Sequence, residues 1–218
     1  MIIVLPFHGG DAGRALELLQ WCRDLGGCPR HEALLVADAS VPWTTSLEIL
    51  EAAQAVFQTA TMVSTPEPFK SGWPTASNQM FLFAAKHIQA QVGKPWLWLE
   101  SDAIPLKEGW ADRLQQEYQA GGKPFGGAVI QANLDGSPFT YMNGVGIYPA
   151  NAASLLEEAI LASPRRAFDV AAKPVVLPQA ANLPSIHCHW GLPDKPPIFS
   201  TRADPARENV VTLGFIRP

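Results

Sequence analysis

The chain has 218 residues, of which 47% are hydrophobic and 17% charged. That excludes a disordered chain and suits a single domain with a substantial core. The 16 Lys and Arg against 20 Asp and Glu give a net charge of -4, which argues against broad electrostatic binding of nucleic acid. No apolar run approaches the ~20 residues of a membrane span. The opening MIIVLPFHGGD lacks a basic n-region and does not read as a signal peptide. Cys22, Cys28 and Cys188 form no CxxC pair, so a disulfide scaffold is not expected and a reducing cytoplasm is.

In chain order, Ile2-Ile3-Val4-Leu5 reads as a buried strand stopped by Pro6. Asp11 can cap a helix whose inward positions are Ala15, Leu18, Leu19, Cys22 and Leu25, ended by Gly26-Gly27. Residues 33–37 (ALLVA) form a second buried strand. Thr45 or Ser46 can cap the next helix, with Leu47, Leu50, Ala53 and Phe57 inward, and 61–63 is a third strand. A Pro-, Lys-, Gly- and Trp-bearing loop precedes a helix over 75–91, and 96–99 (WLWL) is a fourth strand. Such alternation predicts an α/β fold with a mostly parallel, doubly wound sheet flanked by helices. The second half is less regular. It offers a helix near 110–118, a strand at 126–130, a glycine-bearing strand-like segment at 141–149, a helix from Ala152 to Ile160, and a Pro-rich remainder.

Ligands of open α/β sheets bind at the carboxyl ends of the strands. Those ends carry Pro6-Phe7-His8, Asp38-Ala39-Ser40 and Glu100-Ser101-Asp102. Neither GxxxxGK[ST] nor GxGxxG is present, so a P-loop NTPase and an ordinary dinucleotide dehydrogenase are disfavoured. Two carboxylates at i and i+2 beyond a buried strand suit Mg²⁺ or Mn²⁺ carrying a diphosphate, because hard cations take carboxylate oxygens and leave positions for phosphate and water. The same triplet also reads as a polar turn in which Asp102 caps something local.

At this point the chain resembles the nucleotide-sugar glycosyltransferases of the glycosyltransferase A (GT-A) fold. Glu100-Ser101-Asp102 stands where their DxD motif stands, with Glu in the first place. The opening Ile3-Val4-Leu5-Pro6 and the segment Val36-Ala37-Asp38-Ala39-Ser40 resemble the family's strand-Pro start and its VDDGS-type segment. The resemblance implies one domain, with a nucleotide-binding half over 1–107 and an acceptor- and metal-closing half over 108–218. It places Asp38 on the nucleotide base, with uracil favoured, and Asn78 near the nucleotide. Asn143-Gly144-Val145-Gly146 resembles the loop bordering the donor sugar, and Phe168-Asp169-Val170 the acid that is catalytic base in inverting members. In His187-Cys188-His189 it implies a late histidine completing the metal site with Asp102.

Donor contacts are thus expected from Pro6, His8, Asp38, Ser40, Lys70, Asn78, Glu100, Ser101, Asn143 and Gly144. The metal ligands are expected at Asp102, His187 and His189, and the general base at Asp169. Bland readings stand beside these. Asp169 can cap 170–172, the histidines can be a zinc pair or plain surface, Lys70 can be solvated, Trp73 can seal its loop, and Arg165-Arg166 reads as solvated surface. The implied activity is sugar transfer from a nucleotide-sugar, preferably a UDP-sugar, to an acceptor hydroxyl. The chain's small size resembles phage-type enzymes that modify hydroxymethylated DNA bases, so DNA and glycans both stay open as acceptors. The alternatives are a sugar nucleotidyltransferase, whose charged Gly-rich first loop is missing here, and a non-catalytic binding protein on a degenerate transferase fold.

Overall fold

In the computed structural model, the residues described are 1–69, 72–134, 137–188 and 211–213. The central sheet is built from β1 (Ile2–Phe7), β2 (Cys28–Ala37), β3 (Phe57–Ser64), β4 (Trp96–Trp98), β6 (Phe125–Leu134), β7 (Ser137–Tyr148) and β8 (Ala180–Asn182), in the order β3-β2-β1-β4-β7-β6-β8. The strands β1 to β4 run parallel. β7 alone among the seven breaks the direction, pairing antiparallel with both β4 and β6. The sheet is therefore mixed where the chain leaves the first half, and parallel before it. A second, small sheet joins β5 (Ala103–Pro105), β10 (Val211–Leu213) and β9 (Ile186–Cys188).

Helices cover both faces of the central sheet, which is why its strands are apolar without alternation. Ile3, Leu5 and Phe7 of β1 pack with α1 (Ala12–Asp24), α2 (Trp43–Gln54) and α4 (Trp110–Gly121). Ile2 and Val4 face the other way, towards α3 (Thr75–Gln91) and α5 (Ala152–Ala162). The short helices α6 (Phe168–Ala171) and α7 (Lys173–Val176) follow. Among the described residues, no helix is long and apolar enough to cross a membrane.

Three sequence expectations are corrected. Pro6 does not stop β1, which continues through Phe7. The Phe7 carbonyl accepts from Asp38 N–H, so its backbone faces β2 and that of Pro6 faces the opposite side. Pairing to β4 has ended there, at Val4, so the N–H that proline lacks is not needed. Secondly, α2 starts at Trp43 and turns Ser46, Ile49 and Ala53 inward, while Phe57 opens β3 instead of closing the helix face. Thirdly, Asp11 occupies the N-cap of α1 but makes no side-chain cap bond; its carboxylate is used at the site.

Candidate active site

The β1–α1 loop, the β2–α2 loop and the turn after β4 leave the same edge of the sheet. The first is tightly wound: His8 N–H donates to Asp11 Oδ1 at 2.6 Å, and Gly10 N–H donates to His8 Nδ1 at 2.9 Å. Asp11 also shares a hydrogen bond with the Ser101 hydroxyl, which ties this loop to the acidic triplet. In the second loop Asp38 is buried, 4% exposed. Its Oδ1 accepts Ser40 N–H at 2.8 Å and its Oδ2 accepts Phe69 N–H at 2.9 Å. Burial pushes the Asp38 carboxyl up, but the bonds from Phe69 and Ser40 outweigh it and hold the group below the usual range. Asp38 thus braces the segment after β3 against the end of β2.

The β4–β7 register carries the acidic triplet to the catalytic candidate. Trp98 pairs with Gly146, and two residues further along Glu100 comes opposite Gly144. A Cβ on Gly144 would lie 3.6 Å from Glu100 Oε1, 3.6 Å from Asp169 Oδ2 and 3.0 Å from the Phe168 ring. A Cβ here would crowd the Phe168 ring and stand in contact with both carboxylates, so glycine leaves the space between the two acids open. Gly144 N–H donates to Asp169 Oδ2 at 3.1 Å, Val170 N–H donates to Asp169 Oδ1 at 2.8 Å, and the Tyr148 hydroxyl donates to the Gly144 carbonyl. An aromatic cluster fixes the two acids. Phe81 stacks on Phe168 with centroids 4.0 Å apart and meets Trp98 edge-on, and Trp98 Nε1–H donates to Glu100 Oε1 at 3.1 Å. Buried Asn143 accepts Val145 N–H and shapes the same strand.

The electrostatics are those of uncompensated negative charge. Glu100 keeps some solvent exposure, but protein rings its carboxyl. Burial first, then Asp102, Asp169 and Asp11, push it up to about 8 against the Trp98 bond. Burial pushes Asp102 up to about 6, with Asp11 adding to the rise and Arg14 opposing it. Burial likewise takes Asp169 to about 6 despite its backbone bonds to Val170 and Gly144. A divalent cation suits this all-oxygen, under-compensated set. Asp102, with Glu100 in the same turn, would hold it, and magnesium-like ions need only one or two protein carboxylates when phosphates supply other ligands. A closed cage of three His, Cys, Asp or Glu side chains is not formed among the described residues.

The remaining candidates divide. Asn78 is buried in the first turns of α3, where Nδ2–H donates to the Arg166 carbonyl at 2.8 Å, fastening α3 to the turn before α6. Pro6 sits one residue from the end of β1, and Ser40 lies in the loop that Asp38 closes. His187 is exposed on β9, in the small sheet that also contains β5. Lys70 and His189 lie outside the described residues. Sequence reading missed Asp11 and Arg14 as members of the site; the signal was there in Asp11 following His8-Gly9-Gly10 at a strand end, but its helix-cap position masked it.

The acids make a direct prediction. The folded state holds the Glu100 proton more tightly than the unfolded chain, so stability falls as pH rises from about 4.5, the ordinary value, towards about 8. Asp102 and Asp169 contribute with the same sign but finish near pH 6. Glu100→Gln should therefore flatten the decline in melting temperature above pH 6 and lessen, without abolishing, the decline below it, where Asp102 and Asp169 also contribute. Melting curves in chelator between pH 5 and about 8.5 read this out; an unchanged slope above pH 6 would show that Glu100 is not the group titrating there.

No family profile and no curated protein sequence matches the chain. Solved structures do. The galactosyltransferase LgtC, in complex with donor and acceptor sugar analogs, aligns over 98% of this chain and 86% of its own, with TM-score 0.63 and 9% identity. The glycosyltransferase GlyE of Streptococcus pneumoniae TIGR4 covers 84% of this chain and 45% of its own, with TM-score 0.57 and 12% identity. TarS 1-349 of S. aureus covers 97% and 59%, with TM-score 0.55 and 13% identity. The chain has the fold of the GT-A glycosyltransferases.

Proposed function

We propose that the protein is a glycosyltransferase that moves a sugar from a nucleotide-sugar, with UDP-sugars favoured, to an acceptor hydroxyl. The observation that carries this reading is the closure of Glu100 and Asp169 on Gly144 beside Asp102, on a fold shared with solved glycosyltransferases. In the proposed reaction, the acceptor oxygen bonds to the anomeric carbon, the bond from that carbon to the phosphate oxygen breaks, and its electron pair leaves with the nucleoside diphosphate. Asp169 takes the hydroxyl proton. When bound, Mn²⁺ or Mg²⁺ supplies charge neutralisation on the departing diphosphate. Asp102 is its first ligand, Glu100 its partner in the turn, and His187 or His189 the late contribution from the C-terminal segment. His8, Ser40, Lys70, Asn78, Ser101 and Asn143 border the donor in this reading, and Pro6 carries the strand to it.

The test is hydrolysis and binding of a panel of UDP-, GDP-, CMP- and dTDP-sugars with and without Mn²⁺. Cation-dependent turnover of a UDP-sugar is expected, and failure to bind any nucleotide-sugar would falsify the reading. Within it, Asp38 is assigned to the base, because a carboxylate can accept the imide N–H of uracil. Asp38→Ala should weaken UDP binding by about 1–3 kcal/mol. Equal weakening for every base, measured by calorimetry, would reduce Asp38 to a brace for residues 65–69.

A further inference from the structure

We propose that residues 162–166 form an anion-binding subsite for the acceptor, so that the acceptor carries a phosphate or carboxylate group near the hydroxyl it offers. The inference rests on the transferase reading for its mention of an acceptor, and on the following observations for the site itself. Ala162, Ser163, Pro164, Arg165 and Arg166 line an open surface hollow of about 420 Å³. Both arginines are exposed, and neither has an ion-pair or hydrogen-bond partner for its guanidinium among the described residues. By contrast, among the described residues, Arg30, Lys86, Lys94 and Arg113 meet carboxylates. Two unpaired guanidiniums from consecutive residues beside one surface hollow offer planar, many-donor groups to an oxyanion.

The turn is also built and placed. β7 ends at the edge of the sheet far from the acids, and α5 returns the chain from there, its 11 residues spanning roughly 16 Å at 1.5 Å each. The turn it delivers is closed by Arg166 N–H donating to the Ser163 carbonyl. Buried Asn78 grips the Arg166 carbonyl from α3. Three residues later comes Asp169, the proposed base. An anionic acceptor approaching Asp11, Glu100, Asp102 and Asp169 would be repelled, on a chain that is already acidic overall. In this proposal Arg165 and Arg166, four and three residues before the base in the chain, offset that repulsion for the acceptor, while the donor's own diphosphate is served by the acidic triplet and its cation.

Calorimetry on the full chain tests this with tripolyphosphate as the anion and maltohexaose as the neutral control, each with and without saturating UDP. Tripolyphosphate should bind equally in both conditions and maltohexaose should not compete. The double variant Arg165→Gln/Arg166→Gln should bind tripolyphosphate at least about tenfold more weakly, with UDP affinity and UDP-sugar hydrolysis to water unchanged. Displacement of tripolyphosphate by UDP would assign the arginines to the donor and overturn the proposal. Equal binding by parent and double variant would overturn it too. If no nucleotide-sugar binds while tripolyphosphate binding still depends on the arginines, the anion site stands and the transferase reading falls.

Discussion

Asp102→Asn is expected to abolish cation-dependent binding of UDP and, with it, UDP-sugar turnover, while the protein still melts cooperatively. Asp102 stands two residues beyond Glu100 in the turn that follows β4, and burial with little cationic compensation has raised its carboxyl to about 6. A carboxylate in that state gains by meeting a divalent cation, which replaces the lost solvation and the missing counter-charge. The amide keeps one oxygen but loses the charge, so the cation loses its strongest protein partner. At pH 7.5 or so the variant should not be destabilised in chelator, because it removes an ionised group whose folded-state pKa lies above its ordinary value. The paired outcome distinguishes a ligand from a structural acid: UDP titrations with Mn²⁺ lose their signal, and melting curves without it hold or rise. Unchanged Mn²⁺-dependent UDP affinity in the variant would remove Asp102 from the site.

The parts of the molecule visible in the sequence are those set by local pattern. The run WLWL at 96–99 reads as a buried strand because helices cover both faces of β4, leaving no solvent side to demand polar alternation. α3 keeps its expected bounds of 75 and 91, since its apolar positions repeat with helical period after Pro74. What pattern does not contain is long-range pairing. The antiparallel direction of β7 and its register on β4 decide that Glu100 meets Asp169, and residues 69 apart in the chain carry no local mark of that meeting. Asp11 was similarly hidden, because its partner Ser101 comes from the turn after another strand. α2 starts three or four residues earlier than expected, with Pro42 at the cap position in place of Thr45 or Ser46, and its buried positions are Ser46, Ile49 and Ala53. Asp38 was visible as a strand-end acid, yet its grip on Phe69 N–H depends on how the segment after β3 folds back.

Asp169→Asn should cost about 10²–10⁴-fold in turnover, with little change in UDP affinity. The residue stands in the first turn of α6, pinned by Gly144 and Val170 N–H groups and flanked by Phe168, which Phe81 holds by stacking. That pinning fixes the direction of the carboxylate, and burial raises its pKa to about 6. A base acts in its ionised form, so the rate should climb as pH rises through about 6 and level off above it. A raised value also makes the carboxylate a better proton acceptor than a solvated aspartate near its ordinary 3.8. With saturating Mn²⁺ keeping Asp102 ionised, the limb near pH 6 should vanish from the residual rate of the amide variant, since no group remains at position 169 to titrate. The variant loses one acceptor for its two N–H donors but also loses a buried charge. These opposing changes of about 1 kcal/mol each should leave the melting temperature within a few degrees of the parent. Initial rates of transfer or donor hydrolysis from pH 5 to about 8 measure the profile. A variant that keeps both its rate and its rise through pH 6 would show that the acceptor proton goes elsewhere, and that Asp169 serves only to hold Gly144 beside Glu100.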